Sequence, residues 1–105
     1  MAANTRMSRP SVGTTVYTAT KASAITAAET NQLSTGAGKV SHVLVWDVGT
    51  TATIDLYDHA SANSNKMWGW VSADGKGTYA LQLPIQAGVR VVTGGTIGGA
   101  TVVWD

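Results

Sequence analysis

Short runs of β-branched residues, cut by glycine and by clusters of Asn, Asp and Ser, limit what this chain can fold into more than any other feature. Val, Ile and Thr make up 31 of the 105 residues. Two substituents on Cβ leave few χ1 choices, which suits a pleated surface better than a helix. Within the runs, apolar residues recur at period two. From Ala52 to Tyr57, Ile54 and Leu56 face one side while Asp55 and Tyr57 face the other. From Lys39 to Val48 the even positions Val40, His42, Leu44, Trp46 and Val48 share one face, and Val43 and Val45 lie on the other. That strand is apolar on both sides at its middle, so it belongs in the centre of a sheet. Turn signals recur roughly every 8–12 residues, which is the pattern of a β-sandwich or small barrel. The expectation is an all-β chain: one β-sandwich or jelly-roll-like domain over residues 12–105.

The remaining strands follow from the same pattern. Val12 to Thr20 reads as a first strand and Lys66 to Ala73 as a later one. Asp74-Gly75-Lys76-Gly77 has the residues of a type I′ hairpin turn. Tyr79, Leu81 and Leu83 then alternate with Ala80 and Gln82, and Pro84 ends that strand or places it at an edge. Val89 to Thr93 and Thr101 to Trp104 complete the set. The stretch Lys21 to Leu33 is ambiguous. Thr26 and Glu29 have capping-box spacing for one short helix, while the glycines of Ser34 to Gly38 favour an irregular connection.

Residues 1–11 carry Arg6 and Arg9, no acid and no periodicity, and read as a flexible N-terminal arm. No apolar run follows them that would make an export signal, and no stretch approaches the roughly 20 apolar residues of a membrane-spanning helix. Synthesis in the cytoplasm is therefore expected. Charged residues are 12% of the chain, about half the usual share of roughly 25%. A net charge of +1 gives no concentrated basic field, so neither nucleic acid nor membrane is expected as a partner. A surface so poor in charge is more natural where neighbouring subunits cover it.

Little in the chain points to chemistry. Cysteine is absent, and two His, five Asp and one Glu form no spacing with mechanical meaning. His42 within a strand reads as a packed or interface residue, and His59 beside Asp58 as a loop residue. The loop Asp58 to Asn65 offers oxygen ligands but no acidic series at alternating positions. Gly94-Gly95 and Gly98-Gly99 lead into a strand, not a helix N-terminus, so turns or bulges explain them better than a phosphate loop. No catalytic residue, metal or cofactor is expected. Trp46 and Trp104 read as core. Trp68 and Trp70, two apart, share a strand face and are either core residues or an exposed platform for a sugar or a protein partner.

One resemblance adds to this. Gly38-Lys39-Val40, Ile54-Asp55-Leu56-Tyr57-Asp58, the run from Pro84 to Val91 (PIQAGVRV) and Ala100-Thr101-Val102-Val103-Trp104 occur in the order of a glycine-rich entry, a "T-x-x-L-Y-D" strand, a "P-I-x-x-G-V-R-V" strand and a closing "A-T-V-V-W" strand. In this, residues 34–105 resemble small virion proteins of tailed bacteriophages, most of all head decoration or cement proteins. The N-terminal portion carries no part of the likeness. The resemblance implies a structural protein on the capsid exterior that clamps neighbouring major capsid subunits and self-associates, as a trimer first and a dimer second. In that role Arg6 and Arg9 would meet acidic capsid surface, and Trp68 and Trp70 would serve as contact anchors. A receptor- or glycan-binding module of a head or tail fibre is the alternative.

Overall fold

The computed structural model describes residues 21–105, so the expected arm and the expected strand Val12 to Thr20 lie outside the described residues. Eight strands lie among them: β1 (Lys21–Ile25), β2 (Thr30–Gln32), β3 (Gly38–Asp47), β4 (Thr50–Asp58), β5 (Lys66–Val71), β6 (Gly77–Ile85), β7 (Val89–Thr96) and β8 (Gly99–Trp104). Their pairing is that of one long hairpin rolled up: β1 with β8, β2 with β7, β3 with β6 and β4 with β5, all antiparallel. Two further pairings, β3 with β8 and β4 with β7, close the roll into sheets ordered β1-β8-β3-β6 and β2-β7-β4-β5. Eight strands so connected form a jelly roll. The all-β expectation holds, and β3 is an interior strand.

Side chains from the two facing sheets fill the space between them. Val43, Val45 and Val102 from the first sheet and Ile54, Leu56 and Val91 from the second are each at most 1% exposed. Full burial of one such side chain stabilises by about 1.5–3 kcal/mol, so this aliphatic layer is the main driving force. Trp104 packs partly buried at its margin, with its indole N–H donating to Ser23 Oγ (3.1 Å) and the Lys21 ammonium 5.3 Å from its ring centre.

Three local expectations are corrected. The stretch Lys21 to Leu33 holds two short strands, and Thr26 caps no helix. The reason is Thr93, 5% exposed, whose Oγ1 accepts the Glu29 N–H (2.9 Å) and donates to the Ala27 carbonyl (2.8 Å). The Glu29 amide that a capping box would use is thereby committed to β7. Second, Asp74 to Gly77 is no hairpin, because β5 and β6 belong to different sheets. A single 3₁₀ turn at Ser72–Asp74, followed by Gly75 at φ 89°, makes the corner. The Tyr79 hydroxyl donates to the carbonyls of Gly75 (2.6 Å) and Asp74 (2.9 Å), and Asp74 Oδ2 accepts the Val71 N–H (3.0 Å). Third, Trp46 is not core.

That last change comes from a bulge at Ser41. Val40 pairs with Trp104 and His42 with Val103, so β3 fits one extra residue against β8. An inserted residue reverses the parity of everything after it. Val40 is buried, and past the bulge Val43 and Val45 point inward while Leu44 (38%) and Trp46 (48%) are exposed.

Candidate contact surfaces

The outer face of the β1-β8-β3-β6 sheet is the first surface to consider. Register places Ala22, Val103, His42 and Ala80 in one row across the four strands and Ala24, Thr101, Leu44 and Thr78 in the next. Trp46 follows Leu44 on β3. Its ring lies where a Cβ on Gly99 would stand, so only glycine at 99 lets the indole lie down on the sheet, and its N–H points to Thr101 Oγ1 (3.4 Å). Between Lys39 at one end of β3 and Asp47 at the other, these rows hold no Asp, Glu, Lys or Arg. His42 sits in the middle, with Nδ1 3.2 Å from Ser41 Oγ. A flat, uncharged face of small residues with one large aromatic is the composition of a protein contact surface, where charge is depleted at the centre.

The outer face of the other sheet is polar. One row runs Gln32, Arg90, Tyr57, Lys66 across β2, β7, β4 and β5, and the next runs Thr30, Val92, Asp55, Gly69. Lys66 Nζ reaches along the face to Asp55 Oδ1 (2.8 Å), passing over Gly69, where a Cβ would be 2.9 Å from the lysine Cε. That hydrogen bond and the Asp55 charge push the lysine pKa above its ordinary 10.5. Arg90 donates from Nε to Asn63 Oδ1 (2.7 Å) and from NH1 to Gln32 Oε1 (2.8 Å).

Beneath this row lies a latch that joins two of the motifs quoted above. Asp58, 7% exposed, ends β4 with its carboxylate turned onto the backbone after β6. Oδ1 accepts the N–H groups of Ala87 (2.8 Å) and Gly88 (3.2 Å), and Oδ2 accepts that of Gln86 (3.0 Å). Burial pushes this carboxyl up, but the three amides, from Ala87, Gln86 and Gly88, and the neighbouring His59 outweigh it, so its pKa lies below the ordinary 3.8. Gly88 is pressed against the chain, since a Cβ there would be 2.6 Å from the Ser34 carbonyl and 2.9 Å from that of His59. His59 Nδ1 accepts the N–H groups of Ser61 (3.1 Å) and Ala62 (2.9 Å), which folds the β4–β5 loop over this point. The oxygens of Asp58 thus serve the latch and do not face into the loop. Among the described residues no group of three His, Cys, Asp or Glu side chains comes together.

The residues singled out from sequence fare unevenly. Trp68 and Trp70 do share a face, and it is the inner one. Trp70 is 1% exposed, and its indole N–H is shared between the Gly75 carbonyl (3.0 Å) and the Tyr79 hydroxyl (3.3 Å). Trp68 packs half-buried against the core with its ring 5.7 Å from that of Tyr79. This pair is therefore no open platform for sugar or protein, because the corner at Gly75 and the opposite sheet cover Trp70. Arg6 and Arg9 lie outside the described residues. The exposed aromatic that sequence reasoning missed is Trp46, and its signal was His42 on the same parity, an unusual residue for an inward face.

No protein-family description matches the chain, and comparison with curated proteins and with solved structures finds no match.

Proposed function

We propose that this chain is a structural virion protein, a capsid decoration or cement protein that binds the outside of a tailed-phage head and bridges its major capsid subunits. The observation that carries this reading is the uncharged outer face of the β1-β8-β3-β6 sheet, with Leu44 38% and Trp46 48% exposed. A clamp needs a rigid body and a face that another protein can cover, and the resemblance of residues 34–105 to decoration proteins names the kind of protein that would cover it. Leu44 and Trp46 take the anchoring role first given to Trp68 and Trp70, since large aromatics at the centre of uncharged patches dominate binding energy. Self-association, as a trimer first and a dimer second, would multiply weak contacts with the shell.

The test is sedimentation of the protein with expanded capsids that lack it. Saturable co-sedimentation at a fixed copy number, lost in Trp46→Ala, is the expected result. Folded protein that stays in the supernatant at all concentrations overturns the clamp role.

A further inference from the structure

The row Gln32, Arg90, Tyr57, Lys66 holds two cations that are treated differently. Lys66 is neutralised by Asp55 at 2.8 Å. Arg90 is held by two amide oxygens, Asn63 Oδ1 at 2.7 Å and Gln32 Oε1 at 2.8 Å, which fix its direction without cancelling its charge. Two of the five guanidinium N–H donors are so used, and no carboxylate among the described residues pairs with it.

The supports are themselves locked. Gln32 Nε2 donates to the carbonyls of Ser34 (2.8 Å) and His59 (2.7 Å), which leaves its Oε1 turned to the arginine. Asn63 stands in the loop that His59 Nδ1 folds through the Ser61 and Ala62 amides. The Asp58 N–H donates to the Asn65 carbonyl (3.1 Å) and closes the base of that loop. A guanidinium whose orientation is set before a ligand arrives loses less entropy on binding one.

We propose that Arg90 is an anchoring point for a carboxylate presented by a partner protein, docking on the outer face of the β2-β7-β4-β5 sheet. This does not rest on the capsid reading, because it concerns the opposite face and a charged contact. The geometry selects a carboxylate over a phosphate. Asp55 lies two residues from Tyr57 on the same face of β4, and its charge disfavours a dianion beside Arg90. A planar monoanion matches a single guanidinium fork.

The experiment is a titration of ¹⁵N-labelled full-length protein with sodium acetate at constant ionic strength, sodium chloride making up the balance. The Arg90 Nε–H signal and the side-chain amide signals of Asn63 and Gln32 are followed. A saturable shift of these signals, with sodium phosphate binding no more tightly than acetate, is the expected result. Arg90→Lys, which keeps the charge and loses the planar fork, should weaken acetate binding by at least about fivefold. Signals that drift linearly, and equally with acetate and chloride, would show that Arg90 only ties the β4–β5 loop to β7. Tighter binding of phosphate than of acetate overturns the ligand class. The wild-type titration decides the matter even if the Arg90 variant does not fold.

Discussion

Replacing Asp58 by alanine should be among the most damaging single polar changes in this protein. Three backbone amides lose their acceptor at once, those of Gln86, Ala87 and Gly88. Gly88 is buried, so its N–H is left without water and costs about 1–3 kcal/mol. Gln86 and Ala87 are exposed and can turn to solvent, so each loses only a net hydrogen bond of about 0.5–1.5 kcal/mol. The total is about 3 kcal/mol, a large part of the roughly 5–15 kcal/mol that holds a domain together. At about 4–8 °C per kcal/mol for a domain of this size, Tm should fall by about 12–24 °C. Asp58→Asn keeps the shape and one acceptor but loses the charge, and should cost about 1–2 kcal/mol. The pH dependence supplies a second readout. Because the folded carboxyl titrates below 3.8, its stabilisation is complete above the unfolded-state value and is lost as pH falls through the lower folded value. Wild type should therefore lose its advantage over Asp58→Asn below about pH 4 and hold it at neutral pH. Thermal unfolding followed by circular dichroism, with urea titrations at several pH values, measures both effects. An Asp58→Ala variant within about 0.5 kcal/mol of wild type, or parallel acid curves for wild type and Asp58→Asn, would refute the latch.

Three further changes test separate parts of the fold. Trp70→Ala should cost about 3–5 kcal/mol in urea unfolding, through the cavity left in the core and the loss of the indole hydrogen bond at Gly75. Gly88→Ala should cost at least about 2 kcal/mol, because its Cβ would stand 2.6 Å from a backbone carbonyl that cannot step aside. Trp46→Ala, at an exposed position, should change stability by no more than about 1 kcal/mol while abolishing co-sedimentation with capsids. Unfolding and binding measured on the same preparation separate the two effects.

The parts of the fold legible in the sequence are those decided by neighbours along the chain. Ile54 and Leu56 point inward and Asp55 and Tyr57 outward, as alternation alone requires, because nothing interrupts β4 between them. Pro84 lies in β6, an edge strand, since it has no N–H to give a second neighbour. What failed was decided across the sheets. Ser41 is an ordinary residue for a strand, and only the competing registers of β6 and β8 against β3 make it a bulge. Thr26 and Glu29 satisfy a local helix rule, but Thr93, more than sixty residues away in sequence, takes the Glu29 amide first. Period two placed Trp68 and Trp70 on one face without saying which. The answer lies in the corner at Gly75, where the Trp70 N–H has its acceptor.

The phage-like motifs follow the same logic and bear on where function should be sought. Asp58 closes one motif, and the amides it holds, together with Gly88 and Arg90, belong to another. Asp58 and Gly88 are needed wherever a β4 end must be pinned to the chain entering β7, whatever the protein binds. A likeness built on them reports the scaffold. The residues that would meet a partner, Leu44 and Trp46 on one face and the guanidinium of Arg90 on the other, differ in what the scaffold asks of them. Trp46 needs only glycine at 99 beneath it, and the core behind it is complete without the indole. A variant at Trp46 therefore tests partner binding with the fold held constant, whereas a variant at Asp58 tests the fold itself. Loss of capsid binding in Trp46→Ala with unchanged unfolding, set beside an Asp58→Asn variant that binds normally at temperatures where it stays folded, would assign contact and scaffold to different residues. The opposite pattern would place the contact at the latch and the β4–β5 loop above it.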